Sequence, residues 1–223
     1  MDIAVKSAPG SRPYDATRRR RRAEASRRTV VARARDLFDQ QGFGATTIAQ
    51  IAAAAGISVE FVYKNFGGKA GLVRAIFDES LLGVGDVPAP QRSDLAQATT
   101  TDPRTLMRQF GRLVAEVSPL ASPVYLLIRD AAASGDAAMA ALLREVDDSR
   151  YQRMADNARH VLARGFLRPG LTRADVADVF FTATAPALYE TLVLQRGWTP
   201  QRFGHFVAAT MTANLIDPEP PAD

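Results

Sequence analysis

There is no cysteine in the 223 residues. That absence removes disulfide frameworks, thiolate zinc sites and thiol catalysis together. Histidine is nearly as scarce. His160 and His205 are the only two, far apart and without carboxylates at metal-ligand spacing, so neither a metal nor a cofactor is expected. No apolar run approaches the roughly 20 residues of a membrane helix. The opening stretch "MDIAVKSAPGSRPYDATRRRRR" has no apolar segment of signal-peptide length. A soluble, cytoplasmic chain with no membrane partner is the expectation. No period-two alternation persists, so no strand is predicted. There is no Ser/His/Asp set, no phosphate-cradling glycine loop and no paired-carboxylate signature, and an enzyme is not expected.

Charge is present but unevenly placed. Residues 1–78 carry a formal charge of +7 and residues 79–223 one of −3. Lysine is rare, and two of the three, Lys64 and Lys69, lie close together. Opposite balance in two parts suggests two jobs, and the basic part is the candidate for a polyanion, nucleic acid first.

Local signals divide the chain. Residues 1–26 hold Pro, Gly and Ser and then the run Arg18, Arg19, Arg20, Arg21, Arg22, and read as a disordered basic arm. From Thr29, Val30, Ala34, Leu37 and Phe38 share one helical face, and Gly42 ends that helix with Phe43 packing back. "TIAQ" at 47–50 has capping-box spacing. Gly56 stops the second helix and Ser58 can cap a third with Val62 and Phe66 inward. The "GG" at 67–68 breaks that one, and a fourth helix runs from Lys69 to Leu82. Residues 27–82 therefore form one helical domain.

Residues 83–102 read as a linker and 103–217 as a second helical domain, with a loose acidic tail at 218–223. Helices are expected near 103–117, 122–134, 136–164, 173–196 and 200–215. Pro186 should kink the fourth of these. The architecture is all-α: a small basic helix-turn-helix domain followed by a larger helical bundle.

The tight junction "AAAAGISVEFVYKNFGGK" (52–69) has helix-turn-helix spacing. Such a pair places the start of its second helix in a major groove. Val59, Glu60 and Phe61 form that first turn, behind Ser58. Tyr63, Lys64 and Asn65 lie beside it and carry groups suited to phosphate oxygens. Lys69 opens the next helix. The arginine run can add counterion release and minor-groove contact.

These residues resemble a family. "VARARDLFDQQGFGATTIAQIAAAAGISVEFVYKNFGGKAGLV" is similar to the DNA-binding region of tetracycline-repressor-like (TetR family) transcriptional regulators. The C-terminal "RGFLRPGLTRADVADVFFTATAPALYETLVLQRGWTPQRFGHFVAATMTANLI" looks like the last two helices of one branch of that family. The resemblance implies that Thr47 and Tyr63 lie at DNA phosphates, and Thr46, next to Thr47, is a further DNA-binding candidate. The resemblance also implies that Lys69 clamps a phosphate and that Val59, Glu60 and Phe61 face bases. Three positions depart from the pattern. Glu60 stands where a small residue is frequent, Phe61 where threonine is, and Asn65 where histidine is.

The resemblance further implies a dimeric four-helix bundle and a small-molecule effector. The helix from Ala174 to Gln195 is apolar almost all round and needs cover on more than one side. The candidate interface is Val176, Phe180, Leu188, Leu192, Phe203, Phe206 and Met211. The candidate pocket is Phe110, Val114, Leu127, Met139, Met154 and Phe181, for an apolar or weakly polar ligand. The expected partners are a double-stranded DNA operator, a second copy of the chain and that effector. The leading reading is a repressor released by its ligand. A closed second domain would instead favour an effector-independent, architectural DNA-binding protein, and absence of DNA binding a helical ligand carrier.

Overall fold

Helix capping and glycine stops, with hardly any loop, organise the first 80 residues. In a computed structural model, residues 13–218 are described, with side chains from Thr17 onward. They divide into two compact units, meeting in sequence at Leu72 and Val73. Among the described residues every regular element is a helix.

In the first unit, α1 spans Pro13–Ala45 and bends at Gly42, whose φ of 81° and ψ of 165° lie outside the helical region. Next come α2 (Ile48–Ala55) and α3 (Val59–Phe66). Val30, Val31, Ala34 and Phe38 of α1, Ile48, Ile51 and Ala52 of α2, and Val62 and Phe66 of α3 are buried. The Phe38 and Phe43 rings lie 5.6 Å apart, so the chain does fold back after Gly42.

The expectation of a disordered arm over 1–26 fails from Pro13 onward, where α1 already runs; residues 1–12 lie outside the described residues. Arg and Ala are good helix formers. Extending a helix already anchored by packing avoids the cost of a new nucleus.

α4 spans Lys69–Ser80, and from Val73 it belongs to the second unit. That unit continues with α5 (Ala89–Thr99), α6 (Pro103–Ala133), α7 (Ala137–Ala163), α8 (Arg173–Ala183), α9 (Pro186–Tyr189) and α10 (Pro200–Leu215). Three expectations are corrected. The stretch 83–102 is not only linker, because it contains α5. The buried positions of that helix are Ala89, Ser93 and Gln97, and Gln97 donates to Asn157 Oδ1 at 3.1 Å. Its cover is polar, which hid it from a hydrophobic pattern.

The helices expected at 103–117 and 122–134 are one helix, α6, running through Pro119 and Pro123. Each proline removes a backbone donor. Buried residues on both sides, from Leu106 to Ile128, hold the two halves in line against α7 and α10. The helix expected over 173–196 is interrupted instead. Thr184 and Ala185 leave helical geometry, Pro186 starts α9, and a π-helical stretch, Glu190–Gln195, follows. Glu190 is held there by Arg129 at 2.7 Å.

α6 and α10 pack against each other along their length. At their crossing Gly111 faces Gly204, so closely that a Cβ on either would sit 2.3 Å from the carbonyl oxygen of the other.

Candidate nucleic-acid interface and cavity

The turn between α2 and α3 is built from local chemistry. Thr47 accepts from the Gln50 backbone N–H while the Gln50 side chain reaches back to the Thr47 backbone N–H. This capping box fixes where α2 starts. Gly56 takes the left-handed conformation (φ 66°, ψ 35°), and Ile57 N–H bonds to Ala52 O at 3.0 Å while Gly56 N–H bonds to Ala53 O at 3.1 Å. Those two bonds close the helix end, and the left-handed conformation suits a residue without Cβ. One residue later Ser58 Oγ accepts from Phe61 N–H at 3.2 Å and caps α3.

Glu60 and Tyr63 are exposed, as are Lys64 and Asn65, while Val59 and Phe61 are half-buried. Tyr63, at 54% exposure, is the most exposed aromatic side chain among the described residues of this unit. The Asn65 amide is turned back and donates to Phe61 O at 2.8 Å. Lys69 Nζ donates to Phe43 O and lies 4.1 Å above the Phe43 ring, which leaves two of its three donors for an anion. Thr47 and Ser58 are spent on capping with exposed hydroxyls.

Thr46 is corrected. It is 1% exposed, and its hydroxyl donates to Gly42 O at 2.8 Å, bracing the bend in α1 beneath the surface. The arginines at 18–22 line the exposed first half of α1. Sequence reading also missed Arg27. Its Nη1 donates to Asn65 O at 3.0 Å and its guanidinium lies 4.5 Å over the Phe66 ring, so it pins α1 to the end of α3. Embedded in a basic stretch, it carried no signal that set it apart.

Glu60 is held below the usual carboxylate range by its own backbone N–H and by the Ser58 hydroxyl, and stays ionised at any working pH. A fixed negative charge in the first turn of α3 repels phosphate and is tolerated opposite a cytosine amino group. Glu60→Gln is therefore expected to bind random duplex several-fold more tightly and to discriminate less among sequences. Fluorescence anisotropy on random and selected duplexes checks this, and unchanged affinity for random duplex would remove Glu60 from the interface. Lys64→Ala, which deletes an exposed ammonium beside that turn, is expected to lower the slope of log affinity against log salt by about one. A titration series in salt measures it.

The second unit encloses a cavity of about 400 Å³. This lies within the roughly 300–1,000 Å³ of small-molecule sites. Its walls come from Phe77 of α4, from Leu81 just beyond it, and from α5 to α10. Phe110, Val114 and Met154 line it as expected. Leu127, Met139 and Phe181 do not: Met139 is fully buried core, Leu127 lies off the wall, and Phe181 packs edge-on against Tyr151, its ring centroid 5.6 Å away. Helical spacing gave the right helices and a rotated face.

The expected dimer face is corrected in the same way. Val176, Phe180, Phe203 and Met211 are buried in the unit's own core, and Phe180 and Met211 also line the cavity. Leu188 and Leu192 pack partly against that core, and Phe206 stays exposed next to Trp198, ring centroids 5.9 Å apart. Among the described residues no cluster of His, Asp and Glu could hold a metal ion, and no helix is long and apolar enough to cross a membrane.

Residues 30–76 match the profile of the family described as bacterial regulatory proteins, tetR family. No match to a curated protein was found. Among solved structures, the SmeT–triclosan complex is 20% identical with a TM-score of 0.66, over 89% of this chain and 100% of that one. NalD, the secondary repressor of the MexAB-OprM multidrug efflux pump in Pseudomonas aeruginosa, is 18% identical with a TM-score of 0.62, over 87% and 98%. A TetR transcription regulator from Haloarcula marismortui is 17% identical with a TM-score of 0.60, over 86% and 99%. At these identities the likeness is one of fold.

Proposed function

We infer, from the membership of residues 30–76 in the tetR family of bacterial regulatory proteins, that this chain is a transcriptional regulator whose DNA binding is set by a small molecule. The observation that carries the reading is α4. It begins at Lys69, beside the candidate phosphate contacts, and its second half supplies Phe77 to the cavity wall. A ligand that packs on Phe77 acts on the helix that begins at Lys69. The direction we propose is release: the liganded form favours a placement of the reading helices that no longer fits the operator. SmeT, in complex with triclosan, and NalD, a repressor, both of this fold, support a small-molecule site and a repressor role respectively.

A second copy of the chain completes the reading. Leu188 of α9 and Leu192 of the π-helical stretch are half-buried, and Leu194 and Phe206 are exposed; all four are apolar. They are the surface we propose for self-association, replacing the larger face expected from sequence. The reading of an effector-independent DNA-binding protein loses its main support, because it calls for closed packing where the second unit has a cavity. We propose a cytoplasmic setting, where such a regulator meets DNA.

Selection of bound duplexes from a random pool by the full-length protein tests this. The expected product is a two-fold symmetric site whose half-sites lie about one helical turn, or a multiple of it, apart. Recovery of no enriched sequence, or sedimentation as a monomer at micromolar concentration, would defeat the proposal.

A further inference from the structure

Three arginines line the cavity of the second unit, and they are not equivalent. Arg74 is paired by charge: its Nε lies 2.9 Å from Asp78, and its buried Nη1 lies 2.6 Å from Glu145 without making a hydrogen bond. Arg153 is committed to Asp94 at 2.7 Å and to the Pro90 carbonyl at 3.1 Å. Arg150 is the most enclosed, its side chain 15% exposed against 32% and 35% for the other two. Its own hydrogen bonds are long. Nη1 donates to Asp147 at 3.2 Å, and Nη2 reaches the Phe181 carbonyl only at 3.5 Å, the outer limit of a hydrogen bond. Asp147 also accepts the Tyr125 hydroxyl at 2.9 Å, so its capacity is shared.

A guanidinium has five N–H donors, and among the described residues two of Arg150's have protein acceptors. The Phe181 and Tyr125 rings lie 4.5 and 5.5 Å from its central carbon. Both rings lie within cation–π reach of the guanidinium, and its unpaired N–H groups are what remain for a new partner. Burial pushes the Arg150 guanidinium below its ordinary range, the mark of a cation that has lost water without full compensation. The wall also carries the apolar Val114, Met154 and Phe180 and the hydroxyls of Ser118, Ser122 and Ser149.

Resting on the reading of this cavity as the effector site, we propose that its effector is an amphipath with an apolar body and a single carboxylate, and that the carboxylate docks on the donor edge of Arg150. A planar carboxylate matches the guanidinium fork with two parallel charge-assisted bonds. A neutral amide offers one acceptor oxygen and brings an amino group that has nothing to meet on that edge. An ammonium places a second cation beside one already desolvated.

The test uses matched probes on the full-length protein by isothermal titration calorimetry at pH 7.5: decanoate, decanamide and decylamine, and 2-naphthoate, 2-naphthamide and 2-naphthylmethylamine. In each series the carboxylate is expected to bind roughly tenfold or more tightly than the amide, and the amine not at all. Arg150→Met, checked for cooperative unfolding, is expected to bring carboxylate and amide to the same affinity, and Arg150→Lys to restore part of the difference. Equal binding of carboxylate and amide by the native protein, or preference for the amine, overturns the proposal. So does a folded Arg150→Met protein that keeps the preference. Binding by amides alone would leave an effector site of a different class. Binding by no member of either series would remove the effector site itself, and the proposal with it. Carboxylate binding that leaves operator affinity unchanged would refute the regulatory reading while upholding the docking site.

Discussion

Gly71→Ala is expected to reduce binding of a selected operator to the level seen with random duplex, and to lower the melting temperature of the first unit by about 10 °C. An alanine in the interior of an exposed helix normally stabilises it relative to glycine by roughly 0.5–1 kcal/mol. Here the sign reverses because of what lies opposite. A Cβ on Gly71 would sit 1.7 Å from the carbonyl oxygen of Phe66 and 2.8 Å from its carbonyl carbon. The first distance is about half the 3.5–4.0 Å of an ordinary non-bonded contact between carbons. The obstacle is backbone, so no rotamer change relieves it. The end of α3 is itself fixed, by the Gly67 N–H bond to Tyr63 O at 2.8 Å and by Arg27 on Asn65 O. The start of α4 has to move instead, carrying Lys69 away from Phe43 and from any phosphate it meets. Gly44→Ala is the control, since nothing lies within 4 Å of the Cβ it adds. Circular dichroism melts and anisotropy titrations of both variants decide it. A Gly71→Ala protein that binds its operator normally would show that α3 and α4 are not seated as described.

What the sequence revealed of this fold is what is encoded locally. Thr47 with Gln50, and Ser58, cap helices where read, because a cap is a short-range hydrogen bond between residues three apart. What was not legible depends on partners far along the chain. α5 is buried through Ser93 and Gln97, whose cover includes Asn157, 60 residues away from Gln97. Phe180 has the pattern of an interface residue and the surroundings of a core residue, because Phe110 meets it edge-on, ring centroids 5.8 Å apart. For the candidate DNA-contacting set, the exposed residues of α3 were readable from helix-turn-helix spacing. The burial of Thr46 and the role of Arg27 follow from how α1 bends and where it lies, which no spacing rule supplies. The cavity was placed on the right helices, but three of its six residues were wrong. A turn of tens of degrees about a helix axis exchanges wall for core without changing the periodicity.

The crossing of α6 and α10 yields the second large effect. Gly111 and Ala115 on α6 meet Gly204 and Ala208 on α10, each pair four residues apart and so on one helical face. A Cβ at Gly111 would fall 2.3 Å from Gly204 O and 2.9 Å from the Ala208 Cβ, and one at Gly204 would fall 2.3 Å from Gly111 O and 2.8 Å from the Ala115 Cβ. The helices approach as closely as their backbones permit. Gly111→Ala and Gly204→Ala are each expected to destabilise the second unit by about 2–3 kcal/mol, the upper part of the range for overpacking. The intrinsic helix preference of alanine opposes this and is smaller. The double variant should cost much less than the two single costs added together. One outward shift of α10 relieves both clashes, and residues that share a single displacement are not independent. The shift also carries Met211 away from Phe110 and Val114, so the cavity widens and ligand affinity falls in both single variants. Urea unfolding of the native protein, the two single variants and the double variant closes the thermodynamic cycle. Strict additivity would mean that the two glycines act on separate contacts. Single variants as stable as the native protein would mean that the helices cross further apart than 2.3 Å implies.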